Sequence, residues 1–148
     1  MDPRGQYVTV MPLSTQGAVL PPGFDVTRSA VAWHERLSKQ LRKAGLIERP
    51  SVNGAVLPGL GIQSRIVRID PGKTWARFLF GLMSMLFGGA VVIEVEVQVF
   101  DQGGVFAQFS STGRYAIAYA TSGRALKVAA EMAANDVAKK SIAAMKAR

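Results

Sequence analysis

The chain has 148 residues and a mass of 15.9 kDa, the size of one ordinary domain, so we expect a single domain over residues 1–148. Hydrophobic residues make up 49% of the sequence and charged residues 19%, which favours a globular core and excludes a disordered chain. The absence of cysteine excludes disulfides and thiolate metal sites, and the net charge of +8 favours an anionic neighbour: nucleic acid, phospholipid head groups or an acidic protein.

The N-terminal third predicts one strand and one helix. Residues Tyr7–Leu13 combine β-forming residues with alternation and end after a proline, which indicates a first strand at an edge of the sheet. A helix over residues 26–44 follows, because apolar residues recur every three or four positions, and Gly45 supplies its stop. These apolar residues are Val26, Ala30, Trp33, Leu37, Leu41 and Ala44.

The middle of the chain predicts strands separated by turns. Residues 48–61 are a loop by their glycine and proline content, with one short strand at Ala55–Leu57. Residues Gly61–Asp70 form a strand in which neither face is cleanly apolar, which indicates a bulge. Strict alternation of valine and isoleucine with polar residues over Val91–Val99 predicts a strand with one buried face. It continues through a turn at 101–104 into a second strand of a hairpin.

The C-terminal segment predicts a long helix over residues 122–145. Its alanine content favours helix, and its inner stripe consists of Leu126, Ala130, Ala133, Val137, Ser141 and Ala144. Together the elements predict an α+β fold: an antiparallel or mixed sheet of four to five strands, with the two helices packed on one face.

An apolar segment between the two central strands is the unusual feature of the chain. From Phe78 to Ile93 every residue except Ser84 is apolar or glycine, too short a run to span a bilayer as a helix. The glycines at 88 and 89 predict a short apolar helix or loop at about 75–88. A buried helix and a surface for a subunit or a membrane are equally good explanations. The predicted interface residues are Trp75, Phe78, Leu79, Phe80, Leu82, Met83, Met85, Leu86 and Phe87.

The sequence offers no recognisable catalytic or cofactor motif. His34 is the only histidine, which excludes a histidine-based metal cluster, and it is best explained as a residue at the helix surface. Glu94 and Glu96 lie two apart on one strand, but without a second acidic pair they are typical of a solvated face. We therefore expect a protein that is not an enzyme and holds no cofactor or metal.

Four basic residues are candidates for contact with an anion: Arg65, Arg68, Lys73 and Arg77. They keep open an alternative function, a small basic cytoplasmic module that binds nucleic acid through its backbone. The polar face of the predicted hairpin is acidic or neutral, which disfavours a base-stacking sheet.

The order of these elements resembles the bacterial family called domain of unknown function 4410. The resemblance rests on Tyr7–Leu13, Leu41-Arg42-Lys43-Ala44-Gly45-Leu46, Ile69-Asp70-Pro71-Gly72, Arg77-Phe78-Leu79-Phe80-Gly81, Val91–Asp101 and the terminal helix. It implies an envelope lipoprotein-type domain, periplasmic or associated with the outer membrane, with no known catalysis and with a protein partner or copies of itself. The chain departs from the family in filling the glycine-rich loop after Arg77 with Met, Leu and Phe, and in showing no secretion leader or lipid-bearing cysteine.

Overall fold

The structure, a computed structural model, describes residues 2–18, 26–50, 58–70, 90–116 and 122–148. These residues form, in chain order, β1 (Tyr7–Val10), α1 (Val26–Lys43), β2 (Ile47–Arg49), β3 (Leu60–Asp70), β4 (Ala90–Asp101), β5 (Gly104–Ala116) and α2 (Ser122–Ala147). The strands make one sheet in the order β2-β1-β3-β4-β5. The predicted α+β class, with a mixed sheet and two main helices, is confirmed.

The sheet combines a parallel part with an antiparallel part. β1 runs parallel to β2 on one side and to β3 on the other, whereas β3, β4 and β5 are antiparallel neighbours. β1 is therefore internal, and its prediction as an edge strand is wrong. The edge strand is β2, a strand of three residues that follows shortly after α1. The sequence pattern did not predict this strand. The strand predicted at Ala55–Leu57 lies outside the described residues.

The core lies between one face of the sheet and both helices. Every alternate residue of β4 from Val91 to Val99 is fully buried, as the alternation predicted. α1 contributes Trp33, Leu37 and Leu41 to the same core. α2 contributes small side chains, and its predicted inner stripe is buried except at Ala144, which is half-buried. The opposite face of the sheet carries most of the polar residues of β3, β4 and β5, whereas Ser64 and Ser111 lie on the buried face.

A bulge in β3 explains why neither of its faces looks apolar in the sequence. Ile66 pairs with Val95 and Arg68 with Glu94, so Val67 is an extra residue without a partner on β4. The bulge brings Ile66 and Ile69, three positions apart, onto the same buried face. The bulge expected from the sequence is confirmed.

The turn between β4 and β5 lies at the predicted residues 101–104. Asp101 pairs with Gly104, which leaves two residues in the loop. The Asp101 carboxylate accepts a hydrogen bond of 2.8 Å from the amide of Gly103, and Gly104 has a φ of +114°, which few other residues tolerate.

The end of α1 is fixed by two hydrogen bonds around Gly45. The amide of Leu46 donates to the carbonyl of Leu41 at 3.1 Å, and the amide of Gly45 donates to Arg42 at 3.0 Å. This pair of bonds defines a Schellman cap, which places its glycine in the left-handed region. Gly45 has a φ of +89°, so the stop predicted at this residue is confirmed.

Replacing Gly45 with alanine should lower the free energy of unfolding by about 1–2 kcal/mol, because alanine is strained at positive φ. The new Cβ would also lie 2.6 Å from Cγ of Arg4. Gly5→Ala is the matched control, because Gly5 has a similar φ of +81° with open space around it. Urea denaturation should show the larger loss for Gly45→Ala; equal losses would mean that the Arg4 contact contributes nothing.

Candidate interaction surface

The apolar segment joins two strands that are already paired. Asp70, the last residue of β3, lies opposite Val92, and β4 begins at Ala90. Connections within hairpins usually take two to five residues, yet here residues 71–89 lie between the strands. Connections of this length are commonly functional. All nine predicted interface residues, and Lys73 and Arg77 with them, lie outside the described residues, so the predicted site stays a prediction.

A second connection leaves the fold at the same end of the sheet. Ala90 at the start of β4 pairs with Ala116 at the end of β5. The chain therefore leaves β5 beside the point where it returns from the apolar segment. Residues 117–121, which follow, have the sequence Ile-Ala-Tyr-Ala-Thr. The apolar segment and residues 117–121 are therefore attached at the same end of the sheet.

The face of the sheet opposite the two helices carries two ion pairs between β3 and β4. The Arg65 guanidinium lies 2.7 Å from the Glu96 carboxylate, and that of Arg68 lies 3.5 Å from Glu94. Each pair joins residues directly opposite each other in the ladder. The side chains are about one-third to one-half exposed, so each pair contributes less than about 1 kcal/mol.

These pairs bear on two predictions from the sequence. Glu94 and Glu96 each meet an arginine rather than each other, which leaves no paired-carboxylate arrangement at this place. Arg65 also donates to the carbonyl of Gln16 at 3.4 Å. An anion approaching Arg65 or Arg68 would meet the negative charge of a glutamate already beside the guanidinium. Anion contact by these two arginines stays a prediction, and their pairing counts against it.

A cleft between α1 and β2 contains the histidine. His34 Nε2 lies 3.0 Å from the Glu48 carboxylate, and Arg42 lies on the same wall of a cleft of about 560 Å³. Its other lining residues are mostly apolar: Val10, Pro12, Leu46, Ile47 and Pro50. The sequence could not indicate this pairing, because Glu48 reaches His34 only through the unpredicted strand β2. Among the described residues, the lining holds no serine, threonine or lysine nucleophile.

The two helices are tied to each other and to the hairpin by charges. Arg36 of α1 lies 2.6 Å from Glu131 of α2, and Arg148, just beyond α2, pairs with Asp101 at the β4–β5 turn. Burial opposes ionisation of Asp136, but Lys140, whose ammonium lies 3.0 Å away, Ser111 and Lys139 together outweigh it, and the pKa of that carboxyl falls below its ordinary value.

Neither a membrane-crossing helix nor a metal-ligand cluster is found in the part of the chain that the structure describes. No described helix is long and apolar enough to cross a membrane. No group of three or more histidine, aspartate or glutamate side chains there could hold a metal ion.

A protein-family model matches residues 27–119, more than half of the chain. The family is Domain of unknown function (DUF4410). The chain belongs to DUF4410. The resemblance noted from the sequence is thereby confirmed, although the match begins within α1 and ends before α2, so β1 and α2 lie outside it. The comparison with curated proteins finds no match.

Several solved structures share the fold of this DUF4410 chain at low sequence identity. The hypothetical protein CT253 from Chlamydia trachomatis has a TM-score of 0.65 at 10% identity, and the alignment covers 96% of this chain and 98% of that one. PelC from Paraburkholderia phytofirmans, described as a dodecamer, has a TM-score of 0.52 at 14% identity, covering 91% and 88%. Lipoprotein GNA1162 from Neisseria meningitidis has a TM-score of 0.50 at 13% identity, covering 90% and 98%. At these identities the likeness establishes the fold alone.

Proposed function

We propose that this DUF4410 chain is a non-enzymatic subunit of the bacterial cell envelope. It docks into a larger envelope or secretion-type assembly, or associates with copies of itself, through the apolar segment at 75–89. The observation that carries the proposal is the position of that segment, inserted between two strands that a short turn could join. An envelope location, periplasmic or at the outer membrane, is supported by the fold shared with a lipoprotein.

Self-association is supported by the solved structure of PelC. That protein shares this fold over most of both chains and forms a dodecamer. A fold that builds a closed assembly must present a surface to its neighbours, and aromatic residues and methionine are enriched at such surfaces. The segment of this chain contains one tryptophan, three phenylalanines and two methionines between residues 75 and 87. Its composition is therefore that of a partner surface.

A loop replacement tests the role of the segment. Residues 72–89 would be exchanged for Asn-Gly, which leaves a loop of five residues between the paired Asp70 and Val92, within the usual range for a hairpin. We expect the native protein to form a species larger than one chain by light scattering after size exclusion, and the shortened protein to be a folded monomer. A monomeric native protein that also fails to bind vesicles would contradict the proposal.

Charged substitutions give a milder version of the same test. Leu82→Asp with Met85→Asp should abolish the larger species, because a buried carboxylate at an interface is strongly unfavourable. Thr112→Asp with Gln108→Asp is the matched control: it adds the same charge on the exposed face of β5. If both variants lose the larger species equally, the loss is caused by the change in net charge and not by the change in the segment.

A further inference from the structure

The positive charge of the protein is concentrated in its two helices. α1 contains five basic residues and one carboxylate, and α2 contains five basic residues and two carboxylates. The helices therefore account for seven of the eight net charges of the chain. The described outer face of the sheet, in contrast, is partly neutralised by its arginine–glutamate pairs.

The basic side chains of the helices share one surface. α1 ends beside the start of β1, where the amide of Gly5 donates to the carbonyl of Gly45, and α2 ends beside the β4–β5 turn at the same end of the sheet. The helices therefore run in the same direction, joined side by side by Arg36 and Glu131. Their last turns approach each other, because Lys43 and Lys146 line one cleft of about 600 Å³.

Most of these basic groups have no carboxylate partner within the described residues. Arg36 and Lys140 are engaged in ion pairs. The exposed cations without a described ion pair on the helices are Arg28, Lys39, Arg42, Lys43 and Lys139. Of the three carboxylates on the two helices, Glu35 is exposed, and Glu131 and Asp136 are half-buried. The helix face thus carries a net positive charge, which Glu35 and Asp136, a carboxylate that feels the charge of Lys139, offset only in part.

Two large aliphatic side chains are exposed on the same helices. Val31 of α1 is 53% exposed and Met132 of α2 is 45% exposed. Val31 lies one turn before Glu35 and two turns before Lys39, and Met132 lies two turns before Lys139, so each belongs to the exposed stripe of its helix. A surface that mixes lysine and arginine with exposed aliphatic side chains is typical of proteins that rest on lipid head groups.

We infer that the helix face, defined by Arg28, Val31, Lys39, Arg42, Lys43, Met132 and Lys139, binds the surface of a bilayer that contains anionic phospholipid. The cations attract the phosphate groups, and Val31 and Met132 enter the boundary between head groups and acyl chains. None of these residues belongs to the apolar segment, so the inference does not depend on the proposed function.

A bilayer fits this face better than nucleic acid does. Two helices side by side make a broad surface, and α2 alone is about 39 Å long. Single-stranded nucleic acid is held by exposed aromatic side chains, but Trp33 is the only aromatic residue of either helix and is fully buried. The exposed aliphatic side chains, in turn, have no use against a phosphate backbone.

Vesicle sedimentation tests the inference. The native chain should pellet with vesicles of phosphatidylglycerol and phosphatidylcholine in equal parts at 50 mM salt, should be released at 500 mM salt, and should ignore pure phosphatidylcholine. Lys39→Gln with Lys139→Gln should weaken this binding about 25-fold, at about fivefold for each charge. Val31→Ser with Met132→Ser should weaken it further without changing the salt dependence.

The control removes two charges from the opposite face. Arg68→Gln with Arg114→Gln has the same net charge as the helix variant, with both changes on the exposed face of the sheet, and it should retain affinity within about twofold because charges are screened over about 10 Å. Equal weakening by both variants would overturn the inference. Binding to vesicles of pure phosphatidylcholine would also overturn the inference, because it would indicate that the apolar segment makes the contact. Binding to a 20-mer oligonucleotide without binding to vesicles would overturn it as well.

Discussion

Replacing Gly113 with alanine should lower the free energy of unfolding by at least about 3 kcal/mol. Gly113 lies in β5 directly beneath α2, and a Cβ placed there would overlap the carbonyl oxygen of Ala129 and approach the amide of Ala133. Both groups belong to the helix backbone, so no side chain can turn aside to make room. The helix would have to move away from the sheet, and the fully buried Ala129, Ala130 and Ala133 would lose their packing.

Urea denaturation followed by circular dichroism measures this loss. Thr112→Ala is the matched control, since Thr112 is the neighbouring residue of β5 but faces solvent, and it should change the free energy of unfolding by less than about 0.5 kcal/mol. If the free energy of unfolding of Gly113→Ala lies within about 1 kcal/mol of that of the native protein, α2 does not depend on close contact with β5.

Truncating Trp33 to alanine should cost about 3–5 kcal/mol. Trp33 is fully buried in α1 and belongs to the core that both helices and the sheet enclose. Removing the indole leaves a cavity that the surrounding valines and leucines can fill only in part. The loss should appear as a lower midpoint in urea with little change in slope.

A second substitution separates volume from hydrogen bonding at this position. The Trp33 indole N–H is buried and has no acceptor within the described part of the chain, so Trp33→Phe gives up volume but no hydrogen bond. It should cost less than half as much as Trp33→Ala. Val31→Ala, on the exposed side of the same helix, should be nearly neutral. A loss for Trp33→Phe as large as for Trp33→Ala would reveal a polar contact of the indole.

The sequence predicts most accurately the elements whose buried face is visible in the spacing of their own residues. In β4, every second residue from Val91 to Val99 is apolar, and all of them are buried. The spacing of Trp33, Leu37 and Leu41 fixes the inner face of α1 in the same way. These patterns are visible because burial on one face repeats with the period of the backbone itself.

β2 shows where such reasoning fails. Ile47, Glu48 and Arg49 contain one apolar residue, and Ile47 itself is 46% exposed. Their strand conformation depends on pairing with β1, a tertiary contact that leaves no periodic signal in three residues. The same contact moves β1 from the edge to the interior of the sheet, and it brings Glu48 to His34.

Gly113 shows a second limit. In the sequence this glycine interrupts the strand pattern, yet β5 continues to Ala116. The glycine is needed because a helix backbone lies against the strand, and that helix begins several residues later in the chain. Of the two proposed surfaces, the apolar segment can be recognised from the sequence composition. The basic helix face cannot, because it forms only where α1 and α2 run side by side.

The strand order also has a consequence for the synthesis of the chain. β3, β4 and β5 are sequential neighbours, but Val8 of β1 pairs with Leu60 of β3, a closure over about 50 residues. At ribosomal rates of about 5–20 residues per second, one side of β1 stays unpaired for roughly 3–10 s after it emerges. A strand that is internal in the finished sheet is therefore, for that interval, an open edge on which a chaperone or another nascent chain can act.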